Sequence, residues 1–539
     1  MRLKRNIATF VALFSLANLF FIPEWANFFG EQHYQHIFVT PTPFENAYFA
    51  MAFTVLAVAL VLFFLVLVAD NLQARRLKAF IYCLIAFALL IPLNFVREVT
   101  AVFNHWPWLS SVSHLVFFKL IIPFRWPLSC AALLILIYGV RKWGQQATAG
   151  IRFLGLLFSP ALFVTYSNLI SLSKNQMEAS SFVNAVSIRV KKPTQNRKVI
   201  WLIFDEMDYR LLFSKRPTNL KLPELDKLRE QSIFATEAFP PSDYTLQSIP
   251  SLLTGHRVDI ASIEASDLVL RDVQSKTNVR WNDLENIFQS AKSLGYSSSL
   301  VGWYHNYCRI FRGQIDYCRR LPAGRFGYSK EFWGSVTAIL ERSFIFDKRL
   351  ERAFIFNMNK IHKTVIENIL SKNHDFMFLH YSVPHKPYLF DFPTEKLSPY
   401  VSRSPKNYLG NLKKVDNILG DIRRALESSG QWNDTVIVLS SDHSWRQSEE
   451  YDGQRDFRVP FLVKMVDGKG VTLSKPLPTL ITKSFIEAIM RNKVTDTSSA
   501  IDWLSKRSIS FPSGTVLVPF KDEENQVSRK NFSSKNHKT

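Results

Sequence analysis

Acidic and histidine side chains cluster at the ends of three apolar segments of this chain. The segments are VIWLIF (199–204), FMFLHYSV (376–383) and TVIVLSS (435–441). The side chains that they carry or that follow them are Asp205 and Glu206, His380 and His385, and Asp442 and His443. Carboxylates and neutral imidazoles can converge on one divalent cation when each is held at a fixed backbone point. A single aspartate directly after a strand is commonly a helix cap. Helix capping is a poor explanation for such side chains at the ends of three strands, so the pattern predicts a metal site.

A threonine in FPPSDYTLQSIPSLLTGHR (239–257) is a candidate nucleophile. After Thr245, Leu246, Ile249 and Leu252 follow at helical spacing, which places Thr245 at or near the start of a helix. A helix N-terminus favours an anion. The local pattern by itself predicts a helix cap rather than a nucleophile.

The segments that would position these residues have the sequence pattern of an α/β domain. Continuous apolar runs bounded by charge indicate buried parallel strands, and helix-like stretches such as 406–427 lie between them. This alternation predicts a mostly parallel sheet between helices, with the chemistry at the carboxyl ends of the strands. We assign this domain to residues 199–520, a polar tether to 172–198 and a disordered tail to 521–539.

Residues 1–171 are predicted to form a helical membrane domain of about five spans. The apolar runs are 7–29, 47–69, 78–95, a Pro-interrupted run ending near residue 140, and 153–171. Each approaches the roughly 20 residues that cross a bilayer. The first run is too long for a signal peptide and lacks a small-residue cleavage site.

The charges between these runs predict the orientation of the chain. The basic loops contain Arg2, Lys4 and Arg5, then Arg75, Arg76 and Lys78, then Arg141, Lys142 and Arg152. The alternate loops, 30–46 and 96–114, contain only Arg97. The positive-inside rule therefore predicts a multi-pass protein of the cell (inner) membrane, with a cytoplasmic N-terminus and an extracytoplasmic, periplasmic-type catalytic domain.

A net charge of +21 suits an anionic substrate or an anionic lipid surface. Solvated lysines explain the charge equally well, and nucleic acid is not predicted because zinc-finger spacing and a basic helix are both missing. Cys308 and Cys318 stand ten residues apart in a polar segment, where a disulfide is expected if the domain is extracytoplasmic. His305, beside them, either lines a substrate pocket or packs against the disulfide, and packing is the simpler interpretation.

Taken together, these motifs resemble the sulfatase-like branch of the alkaline phosphatase superfamily. In sulfatases the catalytic residue stands ten positions before a Leu-Thr-Gly glycine, as Thr245 stands before Gly255. In phosphoethanolamine transferases the nucleophilic threonine precedes Ser-x-Pro by three positions, and Thr245 precedes Ser248-Ile249-Pro250 likewise. Lipoteichoic acid synthases are similar in having five spans followed by an extracellular catalytic domain.

The resemblance implies roles for these residues. One divalent ion (zinc, manganese or magnesium) would be held by Asp205 or Glu206, of which we prefer Asp205, and by Thr245, Asp442 and His443. The histidines, His380 and His385, would hold the substrate anion or protonate the leaving group. Arg455 and Arg458 stand where the family often has a histidine or lysine, so they either bind the anion or are solvated charges.

The expected activity is metal-dependent transfer of a phosphate ester through a covalent Thr245 intermediate. The donor would be an anionic ester such as a phospholipid head group, and the acceptor an envelope lipid or glycan. The alternatives are a hydrolase of phosphate or sulfate esters and a non-catalytic membrane protein that retains the fold. Formylglycine chemistry is excluded, because Gln247 and Ile249 replace the required proline and arginine.

Overall fold

The structure is a computed structural model in which the chain divides into two compact units. It describes residues 2–21, 24–25, 45–71, 138, 149, 152–153, 155–179, 197–264, 267–320, 331–344, 349–392, 397–402 and 407–507. One unit contains residues 1–35, 41–181 and 326–349, and the other contains 36–40, 182–325 and 350–539.

The described helices and strands alternate along the second half of the chain. The helices are α1 (Arg2–Phe20), α2 (Glu45–Asn71), α3 (Pro160–Ala179), α4 (Pro223–Glu230), α5 (Thr245–Thr254), α6 (Ile287–Ser293), α7 (Tyr307–Ile310), α8 (Phe332–Phe344), α9 (Arg349–Ser371), α10 (Tyr408–Ser428), α11 (Ser448–Asp452), α12 (Thr482–Met490) and α13 (Thr497–Ser505). The strands are β1 (Lys198–Asp205), β2 (Ile233–Ala235), β3 (Ala238–Phe239), β4 (Val258–Glu264), β5 (Asp267–Asp272), β6 (Asn278–Arg280), β7 (Ser298–Gly302), β8 (Tyr317–Arg320), β9 (Phe376–Pro384), β10 (Tyr388–Phe390), β11 (Leu397–Ser402), β12 (Thr435–Ser441), β13 (Phe461–Lys464), β14 (Val471–Leu473) and β15 (Leu477–Pro478).

The first unit is helical. Within α2, the 23 residues 47–69 are long and apolar enough to cross a membrane, and no other helix among the described residues meets that test. Helix α1 covers part of the predicted span 7–29, and α3 covers part of 153–171. The remaining predicted spans, 78–95 and the run ending near residue 140, lie outside the described residues apart from Tyr138. Five spans therefore stay a prediction.

Helix α8 belongs to this helical unit, although its sequence lies within the segment assigned to the catalytic domain. The rings of Phe332 and Trp333 lie 5.4 and 5.7 Å from that of Phe53 in α2. Val336 and Ile339, three residues apart on one face of α8, are buried with residues of α1 and α2. A segment of the second half of the chain is thus part of the first unit.

The second unit is an α/β domain with a mostly parallel sheet, as the sequence predicts. Its eight strands run in the order β14-β2-β13-β12-β1-β9-β7-β8. The three predicted strands are the centre: β1 is parallel to β12 on one side and to β9 on the other. Strand β13 is antiparallel to β12 and β2, which the apolar pattern did not indicate.

Alternate residues of β1 pack on opposite faces of the sheet. Val199, Trp201 and Ile203 join the core on the side of α5, α6, α12 and α13. Ile200 and Leu202 join the core on the side of α4, α9 and α10. Because both faces are covered, the strand is apolar throughout.

The predicted boundary segments are only partly described. Residues 172–179 continue α3, and β1 begins at Lys198, inside the predicted tether. The rest of that tether, 180–196, and the predicted tail, 521–539, lie outside the described residues.

Candidate active site

Asp205, Asp442 and His443 form a buried group whose ligand atoms all lie within 4.8 Å of one another. Asp205 ends β1, and the other two follow β12, which is parallel to β1 with Phe204 opposite Ser441. Nε2 of His443 lies 3.6 Å from Oδ1 of Asp205 and 3.5 Å from Oδ2 of Asp442. The adjacent carboxyl ends of two parallel strands therefore bring the three side chains together.

The chemistry of this group fits a divalent cation. Oδ1 of Asp205 and Oδ2 of Asp442 are buried and have no hydrogen-bond partner among the described residues. Burial raises the pKa of Asp205 well above its ordinary value, and the neighbouring Asp442 and Glu206 charges raise it further. Nδ1 of His443 lies 2.9 Å from the Ser444 carbonyl, so Nδ1–H donates there and the Nε2 lone pair faces the carboxylates. Two crowded carboxylates and an imidazole lone pair are a ligand set that a cation would stabilise.

Thr245, the first residue of α5, reaches this group with its hydroxyl. Its Oγ1 lies 3.1 Å from Nε2 of His443 and 3.4 Å from Oδ2 of Asp205. The residue that caps the helix is Tyr244, whose side chain makes no capping hydrogen bond. The Ser248 hydroxyl donates to the Asp442 carbonyl and fastens the first turn of the helix to the loop after β12.

The structure separates the two acidic residues that follow the first strand. Asp205 belongs to the buried group, whereas Glu206 accepts from Nε of Arg446 at 2.8 Å. Burial opposes ionisation of Glu206, but the electrostatic influence of the neighbouring His385, Arg446 and His443 side chains lowers its pKa to about 2. Glu206 also has a left-handed backbone, with φ of 67°. This unusual conformation of a non-glycine residue turns consecutive carboxylates in different directions.

Two of the predicted histidines, His380 and His305, are buried. His380 in β9 is buried, and its Nδ1 lies 2.7 Å from the Tyr307 hydroxyl. Burial lowers the pKa of His380 well below its ordinary value. Nε2 of His305 lies 3.3 Å from the Thr245 carbonyl, and burial lowers the pKa of His305 to about 3. Both imidazoles are therefore neutral near pH 7.

The third histidine, His385, follows β9 and is partly exposed. Its backbone N–H donates to the Asp205 carbonyl at 3.0 Å, and its ring lies 5.6 Å from that of Trp303. Desolvation lowers the pKa of His385, and the Glu206 charge opposes that shift. This position beside Asp205 gives His385 both access to solvent and proximity to the candidate metal group.

Arg455 and Arg458 are engaged by protein groups. Arg455 donates to the Trp445 carbonyl and, at 3.4 Å, to Asp243. Arg458 pairs with Asp456 at 2.6 Å, and its guanidinium lies 4.3 Å from the centre of the Tyr209 ring. These contacts engage both guanidinium groups with protein acceptors, and a substrate-binding role for either stays a prediction.

Sequence reasoning missed two residues of this region, Arg446 and Tyr307. Arg446 pairs with Glu206 and lies 5.0 Å from the centre of the Tyr244 ring, next to Thr245. Tyr307 bonds His380 and begins α7 in the segment around the disulfide. Neither stands at the end of a predicted strand, so only their spatial partners identify them. The structure joins Cys308 and Cys318, with their Cα atoms 5.5 Å apart.

Residues 197–481 match the Sulfatase family model. A stretch of 63 residues is 30% identical to the Multifunctional alkaline phosphatase superfamily protein PehA of Trinickia caryophylli, and it covers 11% of this chain and 12% of that protein.

Two solved structures of low identity align with part of this chain. Ps i-CgsB in complex with k-i-k-neocarrahexaose is 19% identical with a TM-score of 0.42, over 58% of this chain and 77% of that one. Phosphonate monoester hydrolase of Agrobacterium radiobacter is 14% identical with a TM-score of 0.41, over 62% of this chain and 83% of that one.

Proposed function

Because this chain belongs to the sulfatase family of the alkaline phosphatase superfamily, we propose that it transfers a phosphate-ester group through a covalent intermediate on Thr245. The observation that carries this proposal is the position of the Thr245 hydroxyl, 3.1 Å from His443 and 3.4 Å from Asp205. A hydroxyl at the N-terminus of a helix and beside a candidate metal group is placed to attack an anionic ester.

The proposed reaction begins at the Thr245 hydroxyl. A divalent ion held by Asp205, Asp442 and His443 would lower the pKa of that hydroxyl and withdraw charge from the ester oxygens. Oγ of Thr245 attacks the phosphorus, an Oγ–P bond forms, and the bond from phosphorus to the leaving oxygen breaks. The hydroxyl proton passes to Oδ2 of Asp205, which lies 3.4 Å from Oγ1 and returns it to Thr245 in the second step.

The histidines would assist the leaving group and the acceptor. In its protonated, imidazolium form, the partly exposed His385 donates a proton to the leaving oxygen and recovers it from the incoming acceptor hydroxyl or amine. The neutral His380 donates a hydrogen bond from Nε2 to the bound anion. Attack by the acceptor on phosphorus then breaks the Oγ–P bond and returns the proton to Thr245.

Attachment to a membrane would suit a transferase whose donor substrate is a lipid. Residues 47–69 of α2 are long and apolar enough to span a bilayer, and the chain is strongly basic. We propose a multi-pass protein of the cell membrane, with an extracytoplasmic catalytic domain that moves a phospholipid head group to an envelope lipid or glycan. Membrane attachment keeps the enzyme at the surface where both substrates would lie.

The nucleophile is tested with full-length protein in detergent, supplied with a fluorescent phospholipid. Thr245→Ala should lose at least about a thousandfold in turnover, while Thr245→Ser, which keeps a hydroxyl, should retain measurable activity. Intact-protein mass spectrometry should detect a phosphate-containing adduct on the wild type and none on Thr245→Ala. An active Thr245→Ala protein with an unchanged thermal midpoint would contradict the mechanism.

Mass spectrometry of envelope lipids and glycans then identifies the acceptor. Cells that contain the protein should have a phosphate-containing substituent that cells without it lack. Release of the head group to water with no change in envelope masses would instead make the protein a hydrolase.

The metal proposal is tested by the divalent-ion content of the purified full-length protein. Asp205→Asn and His443→Ala should lower the content from about one ion per chain to near zero. Glu206→Gln is the matched control and should keep the ion, because Glu206 pairs with Arg446. Equal loss in Asp205→Asn and Glu206→Gln would contradict the assignment of Asp205 as the ligand.

A further inference from the structure

Arg320, the last residue of β8, is a cation that has no acidic partner among the residues that the structure describes. Its Nη2 donates to the Tyr304 carbonyl at 3.1 Å. Its Nε and Nη1 are buried and have no acceptor among the residues that the structure describes. Desolvation lowers the pKa of Arg320 to about 10, so the guanidinium stays charged at neutral pH. Charged N–H groups that neither water nor a protein acceptor satisfies are costly, and an anionic ligand that accepts from Nε and Nη1 would remove that cost.

The strand register places Arg320 level with His380. Gly302 in β7 pairs with Arg320 on one side and with His380 on the other. Side chains in one row of a parallel sheet project from the same face, and the two outer strands are about 10 Å apart. A Cβ on Gly302 would lie 3.2 Å from the ring of Tyr307 and 3.2 Å from Cβ of His380. The glycine therefore leaves room for the Tyr307 ring.

Further buried polar atoms without partners lie in the segment between β7 and α7 and next to it. Among the described residues, the unpaired atoms are Nε1 of Trp303, Nδ1 of His305 and Nε2 of His380. Tyr304, between the first two, has a left-handed backbone with φ of 71°. Such strain in a tyrosine persists where the surroundings enforce it, and it often marks a ligand site. The ring of Tyr304 lies 4.8 Å from that of His305, which in turn contacts Thr245.

We infer that Arg320 binds a second anionic group of the substrate, a phosphate separate from the ester that Thr245 attacks. The guanidinium offers Nε–H and Nη1–H, whereas a phosphate offers several acceptor oxygens, so the two can pair by more than one hydrogen bond. The separation of about 10 Å between the strands of Arg320 and His380 suits two phosphates on opposite sides of a sugar or glycerol unit. This inference rests on the proposed function for the identity of the attacked ester.

Binding tests the inference without turnover. Full-length, metal-loaded Thr245→Ala protein in detergent is titrated calorimetrically with glucose 1,6-bisphosphate and with glucose 6-phosphate. The bisphosphate should bind at least about tenfold more tightly. Adding Arg320→Gln should abolish that preference, and Arg320→Lys should reduce it about threefold, because an ammonium keeps the charge but loses the planar fork.

Arg319→Gln is the matched control. Arg319 is the preceding residue of the same strand and projects from the opposite face, so the preference should remain. A preference that survives Arg320→Gln, or one missing from the parent protein, would overturn the inference. Should Arg320→Gln fail to fold, Arg320→Lys decides: a reduced preference supports the site, and an unchanged preference overturns it.

The source of the phosphate is distinguished by competition with vesicles. Phosphatidic acid vesicles that displace the bisphosphate, when phosphatidylcholine vesicles do not, indicate a lipid-borne phosphate. No displacement by either indicates a soluble or glycan phosphate, and both outcomes are compatible with the site. Failure of the proposed function would be recognised separately, by an active Thr245→Ala protein. The binding preference could still be measured in that case.

Discussion

Two buried lysines of the α/β unit differ in their hydrogen bonding. Nζ of Lys198, at the start of β1, is buried with no partner among the described residues. Nζ of Lys464 in β13 donates to the carbonyls of Trp432 at 2.8 Å and Thr435 at 3.2 Å. Burial lowers the pKa of each lysine to about 8. Comparing the two lysines therefore distinguishes the free-energy cost of burying an ammonium group from the stabilisation that its hydrogen bonds provide.

Replacing Lys198 with methionine should stabilise the protein in a pH-dependent way. The unfolded chain takes up this proton as the pH falls below 10.5, whereas the folded chain takes it up only near pH 8. The folded state is therefore destabilised as the pH falls through that window, by about 3 kcal/mol in total once the pH is below 8. Lys198→Met should therefore raise the free energy of unfolding by most of this amount at pH 7 and by about 1.4 kcal/mol at pH 9.5. Thermal midpoints in detergent measure the effect.

Lys464→Met is the control for that measurement. It removes a lysine of similar pKa but leaves two buried carbonyls without their donor, so its gain should be smaller or negative. A Lys198→Met protein no more stable than the wild type at pH 7, or one whose gain is equal at both pH values, would refute the argument.

Residues at the ends of strands were predictable, whereas their partners were not. Asp205, Asp442 and His443 follow apolar runs, and Thr245 is selected by its spacing from two later motifs. Arg320 and Arg446 have no such signature, because the first matters through two N–H groups that lack an acceptor among the described residues and the second through a contact with Glu206. Pairings across the sheet and left-handed backbones depend on the folded chain, so spacing along the sequence cannot indicate them.

At the scale of elements, α10 holds the loop that carries His385. Nδ2 of Asn411 lies 3.1, 3.3 and 3.2 Å from the carbonyls of Pro384, His385 and Pro387. Its Oδ1 accepts from the backbone N–H of Leu389 at 3.2 Å. One amide side chain thus fixes four backbone groups around the candidate acid.

Asn411→Asp should reduce kcat by at least about tenfold. An aspartate has the same shape but cannot donate, and its charge repels the three carbonyls, so the loop and His385 should move. Turnover of the fluorescent phospholipid measures the effect. Asn417→Asp, on the exposed side of the same helix, should change kcat less than twofold. Equal activity of the two variants would show that Asn411 does not position the loop.

The architecture of the sheet was predictable because its central strands are buried on both faces. The apolar runs predicted β1, β9 and β12, and the helix-like stretch 406–427 corresponds to α10. The antiparallel insertion of β13 was not predictable, because FLVK is equally apolar in either direction.

At the scale of the whole molecule, the disulfide tests the proposed topology. Cys308 and Cys318 are joined, and such a bond persists in an oxidising compartment outside the cytoplasm. Intact cells lysed in denaturant with an alkylating agent should leave both residues unmodified until a reductant is added. Cys83 and Cys130, in predicted spans, should be alkylated at once and serve as the control. Alkylation of all four without reductant would contradict an extracytoplasmic domain.

Helix α8 has a practical consequence for producing the enzyme. A recombinant fragment cut at the predicted domain boundary, residues 199–520, would include α8 but lose the helices that cover Val336 and Ile339. The uncovered apolar stripe would favour self-association of the fragment. A well-behaved fragment would therefore need a short linker in place of residues 326–349, the segment that belongs to the helical unit.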